Sequence, residues 1–331
     1  MYLDFYNLRQ VPFAISCDDR FFYESSVHTE ALANMMYTVE QRKGMVLVTG
    51  EVGAGKTFVG NVLGNRLGVG CLTISLKNPP TNGKQLLRAV CNHAGMSVRA
   101  SADKLSLLEE LEGQLVRLHS RGRLVALILD EAQDLGPSSL EELRLLWNWE
   151  YQGQRLVQIV LIGQPELRAK LQEPRWEPLR QRIVLSYHLA HLPPGDVGRY
   201  IAHRLAVAGE SQATVTFTSE AVEEITAATG GTPRMINVLC DNALLVGFTR
   251  EQRVIDRALV QEVLRDMTCW GLTVPQVVTA PQESAEDTIP IARPAEDEAV
   301  SAQAAVRAAA MPAQMPVQFP TQGASLTPEV A

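Results

Sequence analysis

The chain has 331 residues, 46% apolar and 20% charged, with a formal charge of −7, a make-up that excludes wholesale disorder and bulk nucleic-acid binding through charge alone. The charge is uneven: residues 272–331 hold seven acids and two bases, a net −5, and leave about −2 for the rest. Five cysteines (Cys17, Cys71, Cys91, Cys240 and Cys269) are odd in number, far apart and in no metal-ligand spacing, which fits reduced, buried thiols and excludes a disulfide framework.

In chain order, residues 1–37 contain eight of the nineteen aromatics, too many to leave in water, so 1–36 is expected to be a packed leader. It carries Asp4 and Arg9 and no apolar stretch of signal-peptide length. His28–Glu40 has helical periodicity, with Ala31, Leu32, Met35 and Met36 on one face. From Met45, apolar runs near 45–49, 71–76, 123–129, 156–162 and 183–188 alternate with helical patterns near 56–66, 83–95, 103–119, 139–150 and 165–171. This alternation predicts an α/β core over 37–192, a parallel sheet flanked by helices. Leu124–Leu129 is apolar throughout, as a strand covered on both faces requires. Ser138 and Glu141 follow Gly136-Pro137 in capping-box spacing and mark the start of the fourth of these helices.

Pro193-Pro194-Gly195 ends the alternation. Helices alone are expected beyond it, near 196–208, 219–229, 233–248 and 256–267, forming a small all-α lid over 193–268. Residues 269–331 are rich in alanine, proline and acids and read as a disordered tail. The longest uninterrupted apolar run is Leu124–Leu129, far below the ~20 residues of a membrane helix, so any membrane role is expected to pass through a partner.

The chemistry is concentrated in Gly50-Glu51-Val52-Gly53-Ala54-Gly55-Lys56-Thr57, between a strand and a helix. These residues spell a phosphate-binding loop. Its glycines let the backbone curl so that several N–H groups face one polyphosphate, and the helix that begins there adds its positive end. Lys56 would meet the β- and γ-phosphates of ATP and Thr57 would ligate Mg²⁺, with Phe58 continuing the nucleotide-binding stretch. The strand at 124–129 ends in Asp130-Glu131-Ala132-Gln133, at the sheet edge where open α/β folds build their sites. Asp130 would hold the Mg²⁺ shell and Glu131 would polarise the attacking water. Gln164, after the next strand, could bond both γ-phosphate and water, or serve as a plain turn residue. Arg234, in Gly230-Gly231-Thr232-Pro233-Arg234, stands at the start of a helix, where its charge opposes the dipole and suggests a phosphate ligand. Thr232 and Pro233 suit the cap and first position of that helix. Arg182 could reach a neighbouring copy's γ-phosphate, with solvated surface charge the alternative for that basic cluster.

Taken together these motifs resemble an AAA+ ATPase, and more narrowly the family typified by general secretion pathway protein A. The pattern runs through Asn7-Leu8-Arg9, Pro12-Phe13, the phosphate loop, Asp130-Glu131-Ala132-Gln133, Gly163-Gln164-Pro165-Glu166-Leu167, Gln181-Arg182-Ile183 and Gly231-Thr232-Pro233-Arg234, and covers residues 1 to about 268. The resemblance implies a P-loop core, Mg-dependent ATP hydrolysis, a Walker B pair at Asp130 and Glu131, sensor 1 at Gln164 and sensor 2 at Arg234. It also implies that the leader around Phe13 wraps towards the adenine and that the chain forms a homo-oligomer. The implied partner belongs to envelope or secretion machinery and the implied location is cytoplasmic, peripheral to the inner membrane through that partner. Family members usually continue into a membrane helix and a periplasmic domain, where this chain has its acidic tail. The same domain class resembles transposition and replication-initiation ATPases, which makes a DNA-bound complex the alternative partner.

Overall fold

The computed structural model describes residues 1–14 and 18–269. The expected tail from residue 270 onward and Cys17 lie outside the described residues, and residue 269, placed in that tail from the sequence, closes the last helix. A one-turn helix α1 (Tyr2–Phe5) and a 3-10 turn at Asp19–Phe21 precede α2 (Ser26–Glu40). Then follow β1 (Met45–Gly50), α3 (Lys56–Arg66), β2 (Cys71–Leu76), α4 (Gly83–His93), α5 (Lys104–Ser120), β3 (Leu124–Leu129) and α6 (Pro137–Trp147). A two-stranded hairpin of β4 (Glu150–Tyr151) and β5 (Gln154–Arg155) leads to β6 (Gln158–Gly163), α7 (Pro165–Gln172), α8 (Glu177–Arg180) and β7 (Ile183–Leu189).

Five strands form one parallel sheet in the order β2-β3-β6-β1-β7. Leu47 pairs with Leu161 and Leu127 with Ile159, so β1, β3 and β6 end side by side at one edge. Successive residues of these central strands serve opposite faces. Met45, Leu47, Leu127, Leu129, Ile159 and Leu161 join the leucines of α4 to α7, whereas Val46, Val48, Ile128, Val160 and Ile162 join α2 and α3. Helices on both sides explain the unbroken apolar runs Met45–Val48, Leu124–Leu129 and Ile159–Ile162 in these strands. The edge strand β7 alternates between buried and open positions instead.

The lid comprises α9 (Pro194–Ala208), β8 (Thr216–Phe217), α10 (Ser219–Thr229), α11 (Pro233–Thr249), β9 (Val254–Ile255) and α12 (Arg257–Cys269). It is not helical only: β8 and β9 pair in parallel, and two-residue strands are too short to print a period in the sequence. The leader packs chiefly into this lid through Tyr6, Leu8, Phe13 and Phe21. Arg204 of α9 clamps it, donating to the Pro12 and Ala14 carbonyls at 2.6 and 2.8 Å. Only beyond that clamp does the leader turn to the core, where Phe22 stands edge-on to Phe58. The boundary drawn after residue 36 falls inside α2, which lies on the sheet.

The cap of α6 differs from expectation. The helix α6 starts at Pro137 with Gly136 before it and no side-chain cap. Ser138 instead accepts the Gly83 N–H at 3.0 Å, because α4 begins against α6 and leaves that amide without a helical partner. The capping box therefore does not form.

Candidate nucleotide-binding site

The sheet edge where β1, β3 and β6 end assembles the motif residues. Leaving β1, the chain turns through Gly53 and Gly55 at φ 83° and 100° and enters α3 at Lys56. Both glycines hold backbone that a β-carbon would strain, and a β-carbon on Gly53 would also meet that of Arg234 at 2.8 Å. Lys56 is only 6% exposed. Its ammonium donates to the Gly50 and Glu51 carbonyls at 2.7 and 2.9 Å. Burial pushes the Lys56 pKa down, and the carboxylates of Glu131, Asp130, Glu51 and Glu166 oppose that shift by favouring its charged form.

Across from it, Asp130 is 5% exposed, accepts the Glu131 N–H at 3.0 Å and faces the Thr57 hydroxyl, which favours its charged form. Burial raises its pKa, with the Thr57 hydroxyl the main opposing influence. Phosphate loop and acidic pair thus converge. A hydroxyl facing a buried carboxylate offers oxygen donors of the kind that a hard divalent cation takes, so the residues fit Mg²⁺. Glu131 sits at φ 52°. Its Oε2 accepts from Gln133 Nε2 at 2.7 Å and from Gln164 Nε2 at 3.4 Å.

Gln164 occupies the cap position of α7, and its N–H donates to Gln133 Oε1 at 3.0 Å. Arg234 is the second residue of α11, exposed, with its N–H on the Gly53 carbonyl at 3.3 Å. Thr232 stands at the cap position but its hydroxyl bonds no helix N–H; it faces His191 Nδ1 at 3.5 Å. Phe58 touches the leader's Phe22 at 5.6 Å between centroids. Arg182 is not in this group. Ile183 pairs with Met45, at the opposite end of the strand from Gly50, roughly 15–20 Å away at the rise of a strand. There Arg182 lies over the Trp147 ring at 5.0 Å and bonds Asn148 Oδ1. It cannot serve its own chain's phosphate loop.

Two residues in the assembly were not singled out from the sequence. Gln133 was within reach, as the last letter of a motif already recognised. His28, behind the loop, left no signal, because a single histidine on a helical stripe looks like core. Among the described residues, no group of three or more metal-ligating side chains occurs, and Cys71, Cys91 and Cys240 are buried free thiols. Nor, among those residues, is any helix long and apolar enough to cross a membrane.

A glycine-bent loop opening a helix, an acidic pair on the next-but-one strand and a polar residue on the strand between them define a P-loop nucleotide-binding fold of the AAA+ type. A model described as "AAA domain" matches residues 39–171. General secretion pathway protein A of Aeromonas hydrophila is 39% identical over 250 residues, 76% of this chain and 45% of that protein. The chain thus spans just under half the length of this curated relative. Among solved structures, Cdc6p from Pyrobaculum aerophilum has a TM-score of 0.58 at 16% identity, over 75% of this chain and 71% of its own. The Aeropyrum pernix ORC2 protein, in ADPNP-ADP complexes, has 0.56 at 17%, over 75% and 71%. At such identity these two share the fold. The chain has the P-loop fold of the AAA+ class and, over three quarters of its length, is similar to general secretion pathway protein A.

Proposed function

We propose that the chain binds Mg-ATP in this cleft, hydrolyses it, and uses the cycle to remodel or assemble a partner complex of the envelope or secretion machinery. The observation that carries the reading is the convergence of the phosphate loop and the acidic pair: Asp130, 73 positions beyond Thr57 in the sequence, faces its hydroxyl beside the buried Lys56, whose charge it and Glu131 favour. Lys56 binds the β- and γ-phosphates. Thr57 and Asp130 would hold Mg²⁺, which would supply charge neutralisation for the phosphates. Glu131, held by Gln133 and Gln164, orients a water and accepts its proton as the water oxygen bonds to the γ-phosphorus. The bond to the bridging oxygen breaks, and ADP and phosphate result.

Arg234 projects from the lid beside Gly53, which suits it to carry the state of the phosphates into the lid. Arg182, at the far end of the sheet, would act on the site of a second copy in a homo-oligomer. The 39% identity to a secretion-pathway protein favours an envelope partner over a DNA-bound one, with the chain on the cytoplasmic side and reaching the inner membrane through that partner. Glu131→Gln is the test. Loss of a positioned base should lower phosphate release by ~10²–10⁴ while leaving Mg-ATP bound. Turnover equal to wild type in that variant would refute the reading. Copurification of the ATP-held variant with replication or recombination proteins instead of envelope components would reassign the partner.

A further inference from the structure

Behind the phosphate loop lies a buried titratable side chain that the nucleotide chemistry above does not use. His28, in the first turn of α2, is 6% exposed. Its Nε2 lies 3.0 Å from the Ala54 carbonyl and its Nδ1 2.7 Å from the Ser25 hydroxyl. A carbonyl can only accept, so Nε2 carries the proton and Nδ1 accepts from Ser25. Burial pushes the imidazole pKa below its ordinary value, against the Ala54 bond and the charge of Asp196, and so favours this neutral form. The ring is wedged in place: Phe22 stands edge-on to it at 6.2 Å. A β-carbon on Gly55 would come within 2.8 Å of Nε2.

Peptide geometry turns this contact into a statement about the ligand. The Ala54 carbonyl and the Gly55 N–H are opposite ends of one planar trans peptide. With the carbonyl held against α2, the N–H must face the other way, into the concavity of the loop. Glycine offers little resistance to rotation of that plane, so something outside the loop must hold it.

We propose that His28 is a positioning residue for nucleotide binding, which fixes the Ala54–Gly55 peptide so that the Gly55 N–H is presented to the phosphates. This rests on the nucleotide reading of the loop. Calorimetric titration of the full chain with Mg-ADP tests it in two amide variants. In His28→Gln the amide nitrogen falls near the position of Nε2, and in His28→Asn near that of Nδ1. Leaving the buried carbonyl unpaired should raise the Kd about tenfold in His28→Asn, with His28→Gln within about threefold of wild type. Because glutamine is also closer to histidine in volume, His28→Leu, which fills the space without a donor, separates the two roles: its Kd should rise about tenfold, as in His28→Asn, and a wild-type Kd in His28→Leu would assign the ring to packing and overturn the proposal.

Wild-type affinity in His28→Asn, or no recovery in His28→Gln, overturns the proposal. If His28→Asn does not fold, Ser25→Gly keeps the ring, costs the helix cap only a few tenths of a kcal/mol, and removes the hydroxyl that orients the imidazole. Its Kd should rise about threefold, and an unchanged Kd is equally fatal. Wild-type chain that takes up no nucleotide refutes the site itself along with this role. Uptake that Lys56→Ala abolishes and His28→Asn leaves intact refutes only the role of His28.

Discussion

Replacing Gln133 by alanine removes the side chain that ties the proposed base to the strand beside it. Its Nε2 is 2.7 Å from Glu131 Oε2, and its Oε1 accepts the Gln164 N–H at 3.0 Å. After the change, the Glu131 carboxylate keeps the Gln164 amide at 3.4 Å, the long end of a hydrogen bond. The left-handed backbone at φ 52° gives this glutamate no help from local preference. A hydrogen bond to a charged group contributes about 1.5–3 kcal/mol net. If the carboxylate must be re-ordered for each turnover, that loss enters the barrier, and at 1.36 kcal/mol per decade it lowers kcat about 10–100-fold. Lys56 and Thr57 keep their contacts, so the Kd for Mg-ADP should stay within about twofold, a few tenths of a kcal/mol. Phosphate release measured across ATP concentrations, with nucleotide affinity measured separately, distinguishes the two effects. A kcat within twofold of wild type, or a loss expressed wholly in Kd, would refute the positioning argument.

Burial raises the Asp130 pKa above its unfolded value, so ionising this group opposes folding. The penalty is absent below the unfolded carboxylate range, about pH 4, and grows as pH rises through the folded value. Asp130→Asn should therefore melt higher than wild type at neutral pH, by about 2–4 °C per kcal/mol relieved, and lose that advantage in acid; a lower melting point at neutral pH would contradict this. Arg204→Met strands the Pro12 and Ala14 carbonyls and should cost about 2–4 kcal/mol, read as a lower urea midpoint and faster proteolysis of the leader. An unchanged midpoint would show that Arg204 does not clamp it. Arg182→Ala should leave the Kd for nucleotide unchanged and reduce turnover by ~10³ or more, only at protein concentrations where wild-type copies associate. A loss that persists at high dilution would place its action within one chain.

Much of the core could be read along the chain because its cues are local. The strands β1, β3 and β6 announce themselves as unbroken apolar runs, and the phosphate loop is eight consecutive residues whose glycines, lysine and threonine act together as neighbours. The acidic pair was legible for the same reason, directly after a buried strand. The start of α6 was misread because Ser138 and Glu141 have the right spacing for a cap, and only the approach of α4 gives the serine another donor to bind. The strands β8 and β9 and the hairpin of β4 and β5 contain two residues each, too few for a period.

What the sequence by itself determined was the kind of site and the strands that carry it, since each motif is held within a few bonds of the next. Only the tertiary structure decided which side chains serve one another across the fold. Gln133 meets Gln164 over 31 positions, His28 meets Ala54 over 26, and Arg204 meets Pro12 over 192. The parallel pairing of β7 with β1 set Arg182, just before the first residue of β7, at the far end from the loop. Such pairings follow from the packing of distant apolar faces, and nothing in the polar residues themselves records their partners.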